Sequence, residues 1–418
     1  MHKASQSIIE NSQFPGKLHF YPSHYQAPEQ KPLLKYHQDA WELAMSLPFP
    51  FKRDEAWRRT DLKKLAFDQL EQASASEIAR RGKSGLQPSG ALLSDFGSAE
   101  KEYPDLVGKL VGRVIPPSDG KFAAIASALG GEGAFLYIPK NIHQEETIIF
   151  EVAAGSSATA GFSHSILWLE EGATCSVVLK YQTKNLSDEE QSLHCGLLEI
   201  HLGKGAKLNV VETQEFGQKV WNITHERAQL EQDAHLEWTY GALGARFSKS
   251  FIDIDLLGSG SEAEINGFYF TGQDQKLDLD TQQNHLAPHT TSNLLFKGAA
   301  IGNSKAVWQG MIYVAPNALQ TDGYQSNRNL ILGDEAEINA IPGLEILADD
   351  VRCSHGATVG RLDDDELFYL QSRGIPLAEA EQLIVEGFFS AIIEKIPEQS
   401  IQDDLKTTIN QKLTNSVR

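Results

Sequence analysis

A turn, an alanine and then a short alternation of polar and apolar residues recur along the middle of this chain, and no other feature restricts its fold so strongly. The unit reads Gly172-Ala173-Thr174-Cys175-Ser176-Val177, Gly205-Ala206-Lys207-Leu208-Asn209-Val210, Asp233-Ala234-His235-Leu236-Glu237-Trp238 and Glu262-Ala263-Glu264-Ile265-Asn266. Its alanines are separated by 33, 28 and 29 residues, and Glu335-Ala336-Glu337-Ile338-Asn339-Ala340 repeats it 73 residues further on. A period near 30 with two-residue alternation inside each unit fits stacked solenoid turns, each burying its inward face on its neighbours. We read a parallel β-helix. An antiparallel sandwich remains open on pattern alone, because Asn266-Gly267 and Asp322-Gly323 are tight-turn dipeptides.

The repeats divide the chain into three parts. Residues 1–130 are mainly helical in pattern, with Leu34, His37, Trp41, Leu43 and Ala44 on one side of an expected helix. Here Glu55-Ala56-Trp57-Arg58-Arg59-Thr60-Asp61-Leu62 reads as a Trp-anchored turn with Arg58 and Asp61 in local pairs, not as a binding site. Residues 131–360 carry the β-helix. In residues 361–418, Leu362-Asp363-Asp364-Asp365-Glu366 places acids at a helix start, ahead of Leu367, Phe368 and Leu370. A second helix is expected from about Pro376 to Ile396, with Pro397 as its stop. Ala380, Leu383, Ile384, Gly387, Phe388, Ala391 and Ile392 form one apolar face, and Val385, Phe389 and Ile393 a second. A helix apolar on two sides is either sandwiched within its own domain or covered by a partner.

Chemistry concentrates in Ala348-Asp349-Asp350-Val351-Arg352-Cys353-Ser354-His355-Gly356-Ala357-Thr358-Val359-Gly360. In an extended segment Cys353 and His355 share a face about 6.6 Å apart, while Arg352 points to the other side. One thiol and one imidazole do not complete a metal site, so further donors must come from elsewhere in the chain or from a second protein. Burial of both is the alternative. Cys175 alternates with Ala173 and Val177 and reads as core; the direction of Cys195 is open. His285 and His289 flank a proline and read as a turn. Gly82-Lys83-Ser84 lacks the glycine a phosphate loop requires, since Glu77 stands there. Gly203-Lys204-Gly205 and Gly258-Ser259-Gly260 are turns, and neither Gly-x-Ser-x-Gly nor His-Glu-x-x-His occurs. Asp278 and Asp280 share a strand face, as the acids of a carbohydrate-active solenoid would. With 37 basic and 56 acidic residues the net charge of −19 opposes nucleic acid and anionic lipid. Three widely spaced cysteines favour a reducing compartment. With no apolar leader and no run of about 18 apolar residues, we expect a soluble, cytoplasmic protein.

Four stretches carry a family resemblance: Glu55 to Leu62, Lys121 to Pro139, His285 to Ser292 and, most specifically, Asn329 to Phe388. They resemble the SufB/SufD family of SUF iron–sulfur cluster assembly scaffolds. No cysteine lies between Cys195 and Cys353, and Ser354-His355-Gly356 stands where SufB-like chains show Glu-His-Glu, so the likeness is to the SufD branch. The resemblance implies a right-handed parallel β-helix and a non-enzymatic subunit of a SufB–SufC–SufD complex. It implies SufB as partner through the β-helix and the SufC ATPase docked on the C-terminal helices at Leu383, Ile384, Phe388 and Ile392; whether a homodimer forms when SufB is absent stays open. His355 would be the metal ligand to iron or a nascent cluster at the SufB interface, with Cys353 assisting. No cofactor is expected to stay bound to the subunit alone, although flavin binding by the complex is compatible with the family. The other reading is a β-solenoid adaptor that recruits SufC without touching metal.

Overall fold

The computed structural model describes residues 31–73, 79–81, 85–154, 158–183 and 190–416. Glu77 and Gly82-Lys83-Ser84 lie outside the described residues. From Ala134 to Arg361 the chain winds through about eight turns of a parallel β-solenoid, and successive strands alternate between two sheets. One sheet has 11 strands and ends on Glu337–Ile346; the other has 9 and ends on Val351–Arg361. The strands of the turns pair in parallel. Antiparallel pairing is confined, among the described residues, to short N-terminal strands such as Leu92–Asp95 and Ala79–Arg81.

The alanine unit is a column in the second sheet, but only in part. Lys207 and His235 donate their backbone N–H groups to the carbonyls of Ala173 and Ala206, and Glu262 donates to that of Ala234. Thr291 and Asp322 continue the ladder onto Ser261 and Thr290, so the fully buried column runs Ala, Ala, Ala, Ser, Thr. Ala263 sits two positions later, beside Leu236, and Ala336 precedes Glu337 in the opposite sheet. The sequence reading therefore grouped three true repeats with two look-alikes, because each sheet has its own turn followed by a small residue.

Neither hairpin-like dipeptide makes a turn. Gly267 lies inside Glu262–Thr271, where a Cβ would come within 2.1 Å of the Phe296 ring. Gly323 lies inside Thr321–Ile331, where a Cβ would stand 3.2 Å from Cys353 Sγ and 3.3 Å from His285 Nε2. Gly267 makes room for the Phe296 ring of the next turn, and Gly323 for the Cys353 sulfur. The actual corners use left-handed residues: Gly172, Gly205, Asp233 and Gly260 at φ 67°, 65°, 56° and 77°.

Among the described residues seven helices cover the outside. The first, α1 (Lys31–Ser46), buries Leu33, His37, Ala40, Trp41 and Ala44; Leu34 and Leu43, expected on that stripe, are only half-buried. The short α2 (Phe96–Glu102) and α3 (Pro104–Leu110) and the buried α4 (Lys121–Leu129) pack with α1 against the outer face of the first sheet. Trp57 stacks on Phe122 of α4 at 5.4 Å, which makes the Glu55-to-Leu62 motif an anchor. Asp61 faces Lys52 at 3.3 Å, whereas the pair expected for Arg58 does not form among the described residues. Thr60 donates to Asp278 at 2.6 Å, and the fully buried Lys249 ammonium lies 2.9 Å from Asp278 and 2.8 Å from Asp280. Asp278 and Asp280 thus balance a buried cation beneath the N-terminal segment and line no open groove. At the other end, α5 (Asp364–Ser372) is capped by Asp363, and α6 (Leu377–Ile393) and α7 (Gln399–Ser416) cover the second sheet.

The interior is not uniformly apolar. Glu212 and Glu226 face inward from opposite sheets and are almost completely buried, with Trp238 donating to Glu212 at 3.3 Å and Thr224 to Glu226 at 2.6 Å. Burial first, then their mutual repulsion, pushes Glu212 well above the usual carboxylate range; burial also raises Glu226. A raised folded-state pKa stabilises below the unfolded value and is lost as pH climbs, so the pair destabilises the fold from about pH 4.5 upward. Glu212→Gln should therefore gain stability relative to wild type as pH rises from 5 to 8, by roughly 1 to 3 kcal/mol in urea unfolding, a tenfold change in ionisation being worth about 1.4 kcal/mol. A pH-independent difference would contradict the assignment.

Candidate functional site

Parallel stacking assigns every inward residue to a column, and two columns of the second sheet end at the candidate donors. One runs Cys175, Leu208, Leu236, Ala263, Ser292, Gly323 and Cys353. The other runs Val177, Val210, Trp238, Ile265, Leu294, Gln325 and His355. Both donors thus occupy interior positions of the last turn. No later turn covers them, so Cys353 is half-buried and His355 is exposed, while their column-mates Gly323 and Gln325 are buried.

Cys353 packs over Gly323 beside Ile312, and Val351 and Leu344 share its small cluster. Burial raises its thiol above the ordinary range, opposed by the Gly323 backbone and assisted by Asp322. Arg352 lies in the outward phase and pairs there with Asp322 at 3.3 Å, as the alternation requires, so it does not help to ionise the thiol. His355 has no hydrogen-bond partner among the described residues, and both its ring nitrogens are available. Beneath it Gln325 donates to the Gly343 carbonyl at 2.9 Å, and its own side-chain oxygen is buried without a partner. Among the described residues no group of three or more His, Cys, Asp or Glu converges on a metal position. The pair is an open, two-donor edge, and a metal held there would take its further donors from outside the described fold.

The other candidates are not free donors at this edge, although His285 lies beneath it, its Nε2 and the Cys353 sulfur both beside Gly323. His285 is fully buried, and its nitrogens lie 2.7 Å from the Thr290 hydroxyl and 2.8 Å from that of Ser292. Burial lowers its pKa to about 4, so it stays neutral and pins the corner that ends at His289, itself left-handed at φ 58°. Cys175 faces the solenoid interior, and Cys195 points the other way, under α4, with its Sγ–H toward the Phe122 carbonyl at 3.4 Å. On α6, Ile392 is fully buried against the second sheet and is withdrawn from the expected docking face. Ile384 and Phe388 are half-buried, and Leu383 is exposed. The exposed apolar side chains here are Phe368 and Tyr369 of α5 with Leu377 and Leu383 of α6. Exposure of α5 was not legible, because its Leu367, Phe368 and Leu370 resemble core anchors.

Residues 151–388 match the SufBD core domain of the SUF system for FeS cluster assembly. The chain belongs to the SufBD family. Iron-sulfur cluster assembly SufBD family proteins of Staphylococcus epidermidis, Staphylococcus haemolyticus and Staphylococcus aureus are 29% identical to it over 315 residues, which cover 75% of this chain and 67% of each relative. The match to the SufBD core takes in the last turn with Cys353 and His355 and ends within α6. Among the described residues of this SufBD protein, no helix is long and apolar enough to cross a membrane.

The thiol environments give a direct check. Cys175, pushed up to about 12, and Cys195, pushed higher still, are shielded, so iodoacetamide should label native protein at Cys353 alone. Its rate should still be climbing at pH 9, the ordinary thiol value. A plateau well below that pH, read by mass spectrometry, would show a thiolate the structure does not provide for.

Proposed function

We propose that this SufBD protein is the SufD-type scaffold subunit of a cytoplasmic SufB–SufC–SufD assembly, with iron or the nascent cluster as its cargo. One observation carries the reading: the thiol and imidazole of Cys353 and His355 stand together on the uncovered last turn of a family member. The unpaired edges of Glu337–Ile346 and Val351–Arg361 offer backbone donors and acceptors to a second solenoid, and an edge of this kind is paired or defended in a stable protein. SufB is the partner we assign, with a second copy of this chain taking its place when SufB is absent. The lack of any cysteine between Cys195 and Cys353 supports SufD over SufB, since the sulfur ligands must then come from the partner. SufC, the ATPase of the complex, docks on Phe368, Tyr369, Leu377 and Leu383, and this subunit itself catalyses nothing. Flavin, where the assembly carries it, belongs to the complex.

His355 is the primary ligand in this scheme. Neutral imidazole binds iron without first losing a proton, whereas the raised Cys353 thiol does not ionise readily near neutrality. In complexes co-expressed with SufB and SufC, His355→Ala should leave assembly intact and lower iron and sulfide content several-fold; Cys353→Ala should give a partial defect or none. Normal iron loading with His355→Ala would instead favour the adaptor that recruits SufC without touching metal.

Docking has its own check. Leu383→Asp combined with Phe368→Asp should abolish co-purification of SufC without changing the thermal midpoint of the isolated subunit, because both side chains are exposed. Undiminished SufC recovery would assign these helices to internal packing.

A further inference from the structure

On the opposite face of the same terminal turns, between the outer surface of the second sheet and α6, lies a groove of about 390 Å³. Its floor is built from outward residues of Thr291–Ala300 and Thr321–Ile331, and its wall from Ala391 and Lys395 at the C-terminal end of α6. Three cations line it in a chain whose net charge is −19.

The arrangement of those cations is unusual for an unoccupied surface. Lys297 and Arg328 are direct cross-strand partners, and like charges placed opposite one another destabilise a sheet. Lys395 is neutralised by Glu264, the carboxylate of the lining. Arg328 has no acidic partner among the described residues. Lys297 donates to the Phe388 carbonyl at 2.6 Å and rests over the Phe388 ring at 5.0 Å, which neutralises none of its charge. Burial and then Arg328 lower its pKa, the direction expected of a cation held without a counter-ion. Along the same floor Ser326 lies two positions from the pair, and Asn293 and Tyr324 lie four positions away, about 13 Å along the strands; none of these side chains donates to anything among the described residues. A guanidinium and an ammonium side by side, with the Ser326 hydroxyl next along the floor, form a receptor for an oxyanion.

We propose that this groove binds a phosphate group, held between Arg328 and Lys297. The site is separate from Cys353 and His355, whose side chains lie in the inward phase of the neighbouring strand, and it does not depend on their role. A phosphate there removes the repulsion between the two cations and gives the Arg328 guanidinium an acceptor. The exposed ring of Tyr324 leaves room for the remainder of a phosphate ester.

Calorimetric titration of the full chain at low ionic strength, with inorganic phosphate in one arm and adenosine monophosphate in the other, tests the assignment. Saturable binding in either arm is expected, weakened about tenfold or more by Arg328→Gln, since a hydrogen-bonded charge contributes on that scale. Tighter binding of the nucleotide identifies an ester as the ligand, and equal affinity identifies free phosphate. Arg328 is exposed, so its variant should melt as wild type does; Lys297→Gln, which also loosens a contact to α6, serves as a second variant. Absence of binding in both arms at millimolar anion, or wild-type affinity in both variants, overturns the site.

Discussion

Each strand of the solenoid is completed only by the turn before it and the turn after it, and the rest of the structure follows from that requirement. In the middle of the chain parallel ladders meet it, and inward columns such as Val177, Val210, Trp238 and Ile265 exclude water. At the start it is met by other means, with short antiparallel strands and helices closing the first sheet. At the end it is not met. Among the described residues Glu337–Ile346 and Val351–Arg361 each have one neighbour in their sheet, and interior positions of the last turn stand open to solvent. Cys353 and His355 are core residues by register and surface residues by circumstance, which is how a solenoid can present a thiol and an imidazole without building a pocket.

The coverings of the two outer faces obey different physics. On the first sheet the N-terminal segment is tied down by buried charges: Glu199 accepts from the backbone N–H groups of Gly112, Val114 and Ile115 and lies 2.6 Å from His164. Lys249 with Asp278 and Asp280 does the same beneath Thr60. Removing one member of such a group strands the others in a low dielectric, so these contacts fix position more than they add stability. On the second sheet the covering is apolar, with Phe389, Ile392 and Ile396 against Phe268 and Phe270. Where that packing gives out, toward Lys297 and Arg328, charges stand opposite one another without a neutralising acid.

Much of this was legible, though not always for the right reason. The period of about 30 pointed to a solenoid even though Ala263 and Ala336 do not belong to the column that suggested it. Two-residue alternation correctly placed Cys353 with His355 and Arg352 against them, because direction in a strand is fixed by position parity. Helix faces were harder. Apolar residues surround α6, and the sequence could not tell that Val385, Phe389 and Ile392 would meet the sheet while Leu383 would not. Glycines next to Asn or Asp looked like turns until the Phe296 ring and the Cys353 sulfur claimed the space above them.

The sequence by itself determined the period near 30 and the parity of the strand that carries Cys353 and His355, since these depend on spacing along one chain. Tertiary structure alone decided which turn is last and therefore uncovered, which face of α6 is spent on the sheet, and that Lys297 and Arg328 stand side by side. Those outcomes depend on register between residues about 30 positions apart, and on where stacking stops. Neither is set by local propensity; both arise when hydrogen bonds and buried area are shared across turns.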